Sequence, residues 1–254
     1  MQDAETDDSV SRICLVPLTP SSTSPVQALV SHISLNFPSA PLPAYTVAYQ
    51  LFASTSSLLP DAQSQIARQF CQLLSTSHHA NATYVGAGRP GAGVAAVGAA
   101  ETRLITIPAS AADSFIQLLN GKLQPLWAHR QTLSLDNGTT LSLHHGRFTL
   151  RIGELKQGPR ISTGPSSLRG LLIEITDEAS IGRDGDPGSD DDHAMLSALL
   201  DRLVEGSGVA LDRPPLTARY TEPVGEGRDG LRASSAKSWA LAELYLDVLR
   251  GARS

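Results

Sequence analysis

The chain has 254 residues, 20 basic and 25 acidic, with a net charge of −5 and only 18% charged side chains, against roughly 25% in an average soluble domain. Mild acidity argues against an autonomous nucleic-acid binder, which would carry a basic balance or patch. No apolar run approaches the ~20 residues of a membrane-spanning helix. The charge deficit is uneven: residues 1–150 hold 15 charged side chains, four of them Asp3, Glu5, Asp7 and Asp8, whereas residues 151–254 hold 30. A surface so thinly charged is either solvated by Ser, Thr and Gln or covered by a partner.

Residues 1–10 are acidic and polar and read as a disordered tail, not a secretory signal. Ile13-Cys-Leu-Val16 suits a strand, and Cys14, like Cys71, reads as a reduced, buried, small apolar residue. Ser24 caps a predicted helix with Pro25 at its first position. Val26, Leu29, Val30, Ile33 and Phe37 form its apolar stripe, and Pro38, Pro41 and Pro43 end it. Tyr45, Val47, Tyr49 and Leu51 alternate as in a half-buried strand. Residues 62–76 fit either a helix (Ile66, Phe70, Leu73, Leu74) or a strand from Phe70. Residues 78–99, rich in Gly, Ala, Asn and His, read as a flexible insertion.

Leu104–Ile107 suits a strand and Ala111–Leu126 a helix with Phe115, Ile116, Leu119 and Leu123 on one side. Residues 131–155 predict a three-stranded meander, with turns at Asp136-Asn137-Gly138 and His145-Gly146 between the alternating pairs Leu133/Leu135, Leu141/Leu143 and Phe148/Leu150/Ile152. Leu168–Thr176 adds a strand. An acidic loop over 178–192 leads into a helix carrying Leu196, Leu199, Leu200 and Leu203, with Asp190–Asp192 at its favourable end. Residues 206–232 look irregular. A last helix runs from Ser235 to Leu249, with Leu241, Leu244, Tyr245 and Val248 on one side and Trp239, Ala242 and Leu246 on another, so it is buried on more than one side. The pattern is α+β: a single domain over 11–254, mostly antiparallel sheet with flanking helices.

Chemical motifs are sparse. Gly86-Ala-Gly88-Arg-Pro-Gly91 has dinucleotide-loop spacing but lacks the following helix and acidic residue. Asp184, Asp186 and Asp190–Asp192 lack the glycine and glutamate of a calcium loop. His78-His79 and His144-His145, if on strands, point to opposite faces and cannot grip one metal. Glu154, Lys156 and Glu174 are the only strand residues that suggest a metal-dependent triphosphate tunnel, whose E-x-E-x-K strands need more inward carboxylates. Arg151 is expected to pair across the sheet or with Glu174, and Trp127 to cap the core. No cofactor is implied.

The stretch Leu119–Thr176 carries a resemblance. A helix ends near Trp127, Arg130 starts the next strand, a Phe148-x-x-Arg151-x-Gly153 strand follows, and an Arg169-Gly170 strand ends in Glu174-Ile. This order resembles subunit 20 of the Mediator complex, and the Trp239–Leu249 helix also fits. The resemblance implies a single-domain, mostly antiparallel β-barrel flanked by helices. It implies a non-enzymatic scaffold in the head module of this nuclear coactivator of RNA polymerase II transcription, pairing with subunit 18 and attached through subunit 8, with no direct nucleic-acid or membrane contact. Trp127, Arg130, Phe148, Arg151, Gly153, Arg169, Gly170, Glu174 and Trp239 are its signature and candidate partner surface. The loops over 86–99 and 178–192 depart from the family pattern. The likeness of such barrels to triphosphatase tunnels makes a metal-dependent triphosphate phosphohydrolase the alternative.

Overall fold

A computed structural model describes residues 10–16, 25–55, 69–79, 81–88, 103–158, 166–178, 190–208, 216–218 and 230–251. Along them run β1 (Val10–Val16), α1 (Pro25–Asn36), β2 (Ser39–Ser54), β3 (Phe70–Thr76), β4 (Ala82–Gly88), β5 (Arg103–Pro108) and α2 (Ala112–Asn120). These are followed by β6 (Trp127–Leu143), β7 (Phe148–Gln157), β8 (Ser167–Asp177), α3 (Asp190–Val204), β9 (Leu216–Ala218) and α4 (Gly230–Gly251). The strands pair in the order β5-β4-β3-β2-β6-β7-β8-β1-β9. The β1–β8, β1–β9, β2–β3, β3–β4 and β4–β5 ladders are antiparallel. The α+β class therefore holds. The sheet is open, however: its order has two ends, and no ladder joins β5 to β9 among the described residues.

The chain divides into two compact units. The first comprises Met1–Tyr45, Leu135–Leu155 and Leu168–Val248; the second Thr46–Ser134, Lys156–Ser167 and Leu249–Ser254. In the first, Val26, Leu29 and Ile33 of α1 and Leu196, Leu200 and Leu203 of α3 bury against Cys14, Leu143, Leu150, Ile152, Leu171 and Ile173 from the strands. These helical residues recur at i, i+3/i+4 and i+7, the spacing of one helical face. In the second, Leu119 of α2 joins Phe52, Cys71, Leu73 and Val85, with Phe115, Ile116, Leu123 and Trp127 partly buried around them. Both cysteines are free and buried, as expected of small apolar residues.

Several local expectations are corrected. Residues 82–88, expected to be loop, form β4, because Thr83, Tyr84 and Val85 bury against β3 in a ladder that tolerates Gly86 and Gly88. The prolines at 41 and 43 lie inside β2 and do not merely precede it. They sit in its exposed half, outside the β2–β3 register that begins at Val47, where a missing N–H removes no rung of that ladder. Helix α2 stops at Asn120, and Gly121–Leu126 form turns in which Leu123 donates its N–H to the Leu118 carbonyl. Within 206–232, β9 pairs with β1, and α4 opens at Gly230, before Ser235. Of the ambiguous segment, Phe70–Thr76 is strand. Ser24, Ile66, the tail before Val10 and most of both predicted insertions lie outside the described residues.

The largest correction concerns Asp136-Asn137-Gly138. It makes no turn, and β6 runs straight through it for 17 residues. A β-carbon at position 138 would lie 2.2 Å from Cε1 of the buried Tyr45 ring. The glycine therefore serves close approach of an aromatic ring rather than a bend. The alternation slips where Asp136 and Asn137 are both exposed, and again where Thr140 and Leu141 are both buried. The second expected turn exists: His144, His145 and Gly146 have φ of 50°, 60° and 95°, left-handed values that reverse the chain between β6 and β7.

Candidate functional site

Strand β8 reads Leu-Leu-Ile-Glu-Ile-Thr over 171–176, so Glu174 is a carboxylate within an apolar run, and it is wholly buried. Leu171, Ile173 and Ile175 enter the α1/α3 core, and alternation turns Leu172, Glu174 and Thr176 to the opposite face. There Arg151 of β7 donates from Nη1 to Glu174 Oε1 at 2.5 Å. The Tyr245 hydroxyl of α4 donates to Oε2, and the Thr176 hydroxyl lies 3.4 Å from Oε1. Ser11, register partner of Thr176 on β1, bonds the Thr176 hydroxyl at 3.0 Å. Both carboxylate oxygens thus have charged or polar donors, as a buried charge requires.

The electrostatics follow. Burial pulls the Arg151 guanidinium down, but Glu174 and Tyr245 outweigh it and hold Arg151 above its ordinary value. Burial, reinforced by the Glu174 charge, pushes the Tyr245 hydroxyl well above the usual tyrosine range. Tyr45 is raised for the same reasons. The site is thus a salt bridge with a neutral phenol as cap. Chemically it can orient α4 on the sheet.

The expected pairing of Arg151 with Glu174 is present. Glu154 shares the strand parity of Leu150 and Ile152, which enter the α1/α3 core, so it points to the opposite face from Glu174. The two carboxylates suggested for a triphosphate site are therefore not brought together. Among the described residues, no group of three or more His, Cys, Asp or Glu could hold a metal, and no helix is long and apolar enough to cross a membrane. Neither histidine pair is on a strand. His78 and His79 occupy a 3₁₀ turn with rings 4.7 Å apart, and His144 and His145 form the β6–β7 turn.

Of the remaining signature residues, Phe148, Gly153 and Gly170 are buried. Phe148 is buried in the first unit's core, with the Arg147 guanidinium 4.8 Å over its ring. A β-carbon at Gly153 would lie 2.5 Å from Leu135 Cδ1, and one at Gly170 would lie 2.5 Å from the Val16 carbonyl oxygen, so both glycines admit a neighbour closely. Arg169 is half-buried on β8. Trp239, expected on a buried stripe with Ala242 and Leu246, is 38% exposed while those two are buried. Trp127 packs against the second unit's core as expected, and Arg130, of opposite strand parity, is exposed. Sequence reasoning placed Tyr245 only on a helical stripe and missed its bond to Glu174. The available signal was a glutamate in an apolar strand, which demands both a cation and a further donor.

The chain matches, over residues 15–234, the family model described as the TATA-binding related factor (TRF) of subunit 20 of Mediator complex. No curated protein matches it. Among solved structures, it is similar to the PH1819 protein from Pyrococcus horikoshii OT3, at 11% identity and TM-score 0.38 over 80% of this chain and 91% of that one. It is also similar to the putative adenylyl cyclase HpAC1 from Hippeastrum, described as having a dominant triphosphatase activity, at 11% identity and TM-score 0.43 over 90% of this chain and 96% of that one. At that identity and those scores neither likeness bears on function. The family match spans every signature residue from Trp127 to Glu174 and stops short of Trp239. The chain belongs to the family of subunit 20 of the Mediator complex.

Proposed function

We propose that the chain is a non-enzymatic scaffold of the Mediator head module, working in the nucleus in the regulation of RNA polymerase II transcription by pairing with subunit 18 and attaching through subunit 8. The observation that carries this reading is the family match over residues 15–234. The geometry is in keeping with it: Glu174, the carboxylate at the centre of the first unit's polar network, is committed to Arg151 and Tyr245. A carboxylate so engaged would have to break a buried ion pair before it could bind a metal or a base-activated water.

Co-expression with subunit 18 tests the reading. A single co-eluting species of one copy each is expected. A chain that is monodisperse alone and does not bind subunit 18 would sink the pairing. Hydrolysis of inorganic tripolyphosphate with Mg²⁺ or Mn²⁺, abolished by Glu174→Gln in a folded variant, would sink the non-enzymatic reading.

A further inference from the structure

We propose that the α2 side of the second unit is a docking surface for an acidic, amphipathic segment of a partner protein. The net charge of −5 conceals a division. The first unit's sequence carries 11 basic and 22 acidic residues, net −11, while the second's carries nine basic and three acidic, net +6. The second unit is therefore basic although the chain is acidic.

Among its described residues, the same unit has an incompletely covered apolar face. Ile105 of β5 is register partner of the buried Val85 and lies two residues from the partly buried Ile107, so it belongs to the face that α2 packs on, yet it is 53% exposed. Leu118, 39% exposed, immediately precedes the buried Leu119, and Leu126, 43% exposed, immediately precedes Trp127 of the same core. Ile105 thus widens, on the same sheet face, a core whose members Ile107, Phe115, Ile116, Leu123 and Trp127 are themselves only partly buried, and an apolar face left open in this way suits an interaction surface. Exposed Arg103 lies two residues from Ile105 on the same strand face, and exposed Lys122 stands between Leu118 and Leu126 in the chain.

Apolar side chains bordered by cations fit a segment with leucine-type residues on one side and carboxylates beside them. A second copy meeting this face through a two-fold axis would set like charge against like. A head-to-tail contact with the acidic unit would build a ring or a filament, seen as growth in mass with concentration. Bare phosphate chains would meet the cations but leave the apolar rim unused. The inference does not depend on pairing with subunit 18, and its test needs only this chain, so either can fail without the other.

The probes are two fluorescein-labelled helical peptides sharing leucines at i, i+3, i+4 and i+7, one with glutamates and one with lysines at the flanking positions, read by anisotropy on the full chain. The glutamate peptide is expected to bind at least about tenfold more tightly. Ile105→Ser with Leu118→Ser is expected to weaken it about tenfold, and Arg103→Glu with Lys122→Glu to reverse the preference, all at unchanged melting temperature. Equal binding of the two peptides, no binding, or binding untouched by both double variants overturns the proposal. So does concentration-dependent growth in light scattering that Arg103→Glu/Lys122→Glu abolishes, which assigns the face to self-association. Tighter binding of a single-stranded RNA than of the glutamate peptide assigns it to nucleic acid.

Discussion

In the first unit two helices, α1 of 12 residues and α3 of 15, cover a cluster of 17 described buried residues, and only four further members are partly exposed. In the second unit α2, nine residues long, contributes Leu119 to a cluster of five described buried residues, and five further described members are partly exposed. The first unit is also the acidic one, and carries the buried ion pair. The difference teaches where stability and binding reside: the sealed core gains full burial free energy per side chain, at roughly 25 cal/mol per Å². The half-covered core retains apolar area that a partner can still remove from water. Exposed leucines occur in the first unit too, Leu35 and Leu168 among them, but that unit has a net charge of −11 and lacks the basic balance of the second.

The largest expected effect breaks the ion pair. Arg151→Ala leaves Glu174 charged and buried, and should cost about 3–5 kcal/mol in urea unfolding. Replacing the whole network, Arg151→Met and Glu174→Leu with Tyr245→Phe so that no buried hydroxyl is orphaned, should recover most of that. If Arg151→Ala alone is harmless, the network is not closed as described. Next, Leu200→Ala in the sealed core should cost about 2–5 kcal/mol. The partly buried Leu123→Ala should cost less than half as much, since less area is lost. Equal costs would erase the contrast between the units. Gly138→Ala drives a methyl into the Tyr45 ring and should cost about 1–3 kcal/mol, whereas the same change at a hairpin turn would be judged by φ alone.

The smallest effect is alkaline. Burial pushes the Cys14 thiol up to about 12 and the Cys71 thiol up to about 11, from an ordinary value of 9.0. Above 9.0 the unfolded chain releases these protons while the folded chain keeps them. Stability that is fully present below 9.0 is therefore lost progressively as pH rises through the folded values. Comparing urea midpoints near pH 7 and near pH 10.5 should show a drop that Cys14→Ala and Cys71→Ala each reduce by a similar amount, because pH 10.5 lies below both folded values. A drop that neither substitution reduces would mean that these thiols are not shielded by burial.

Much of the fold was legible because periodicity reports burial directly. The stripe Val26-Leu29-Ile33, the run Leu196-Leu200-Leu203 and the alternation through Phe148-Leu150-Ile152 each follow from one face meeting a core. The errors came from residues with two physical uses. Asn137-Gly138 is turn chemistry when the chain reverses, and clearance when a distant tyrosine needs room, and only the fold says which. Gly and Ala in β4 look like loop until a partner strand supplies the ladder. Arg151 could be paired with Glu174 from strand pattern and charge alone. Tyr245 could not, because its partner lies 71 residues away and nothing local in α4 marks the contact. The division of charge between the units was hidden for the same reason: each unit is assembled from separated stretches of chain, so a running count along the sequence averages them.

That separation also sets a timetable for synthesis. Arg151 and Glu174 are 23 residues apart and leave the ribosome close together, but the Tyr245 hydroxyl follows 71 residues after Glu174. During that interval the carboxylate can be paired yet not sealed, and its face of the sheet stays open to water. The nascent first unit therefore remains unfinished until α4 emerges, a long-range closure of the kind that slows folding. A chain stalled before Tyr245 would expose this face to chaperones and proteases while β7 and β8 are already made.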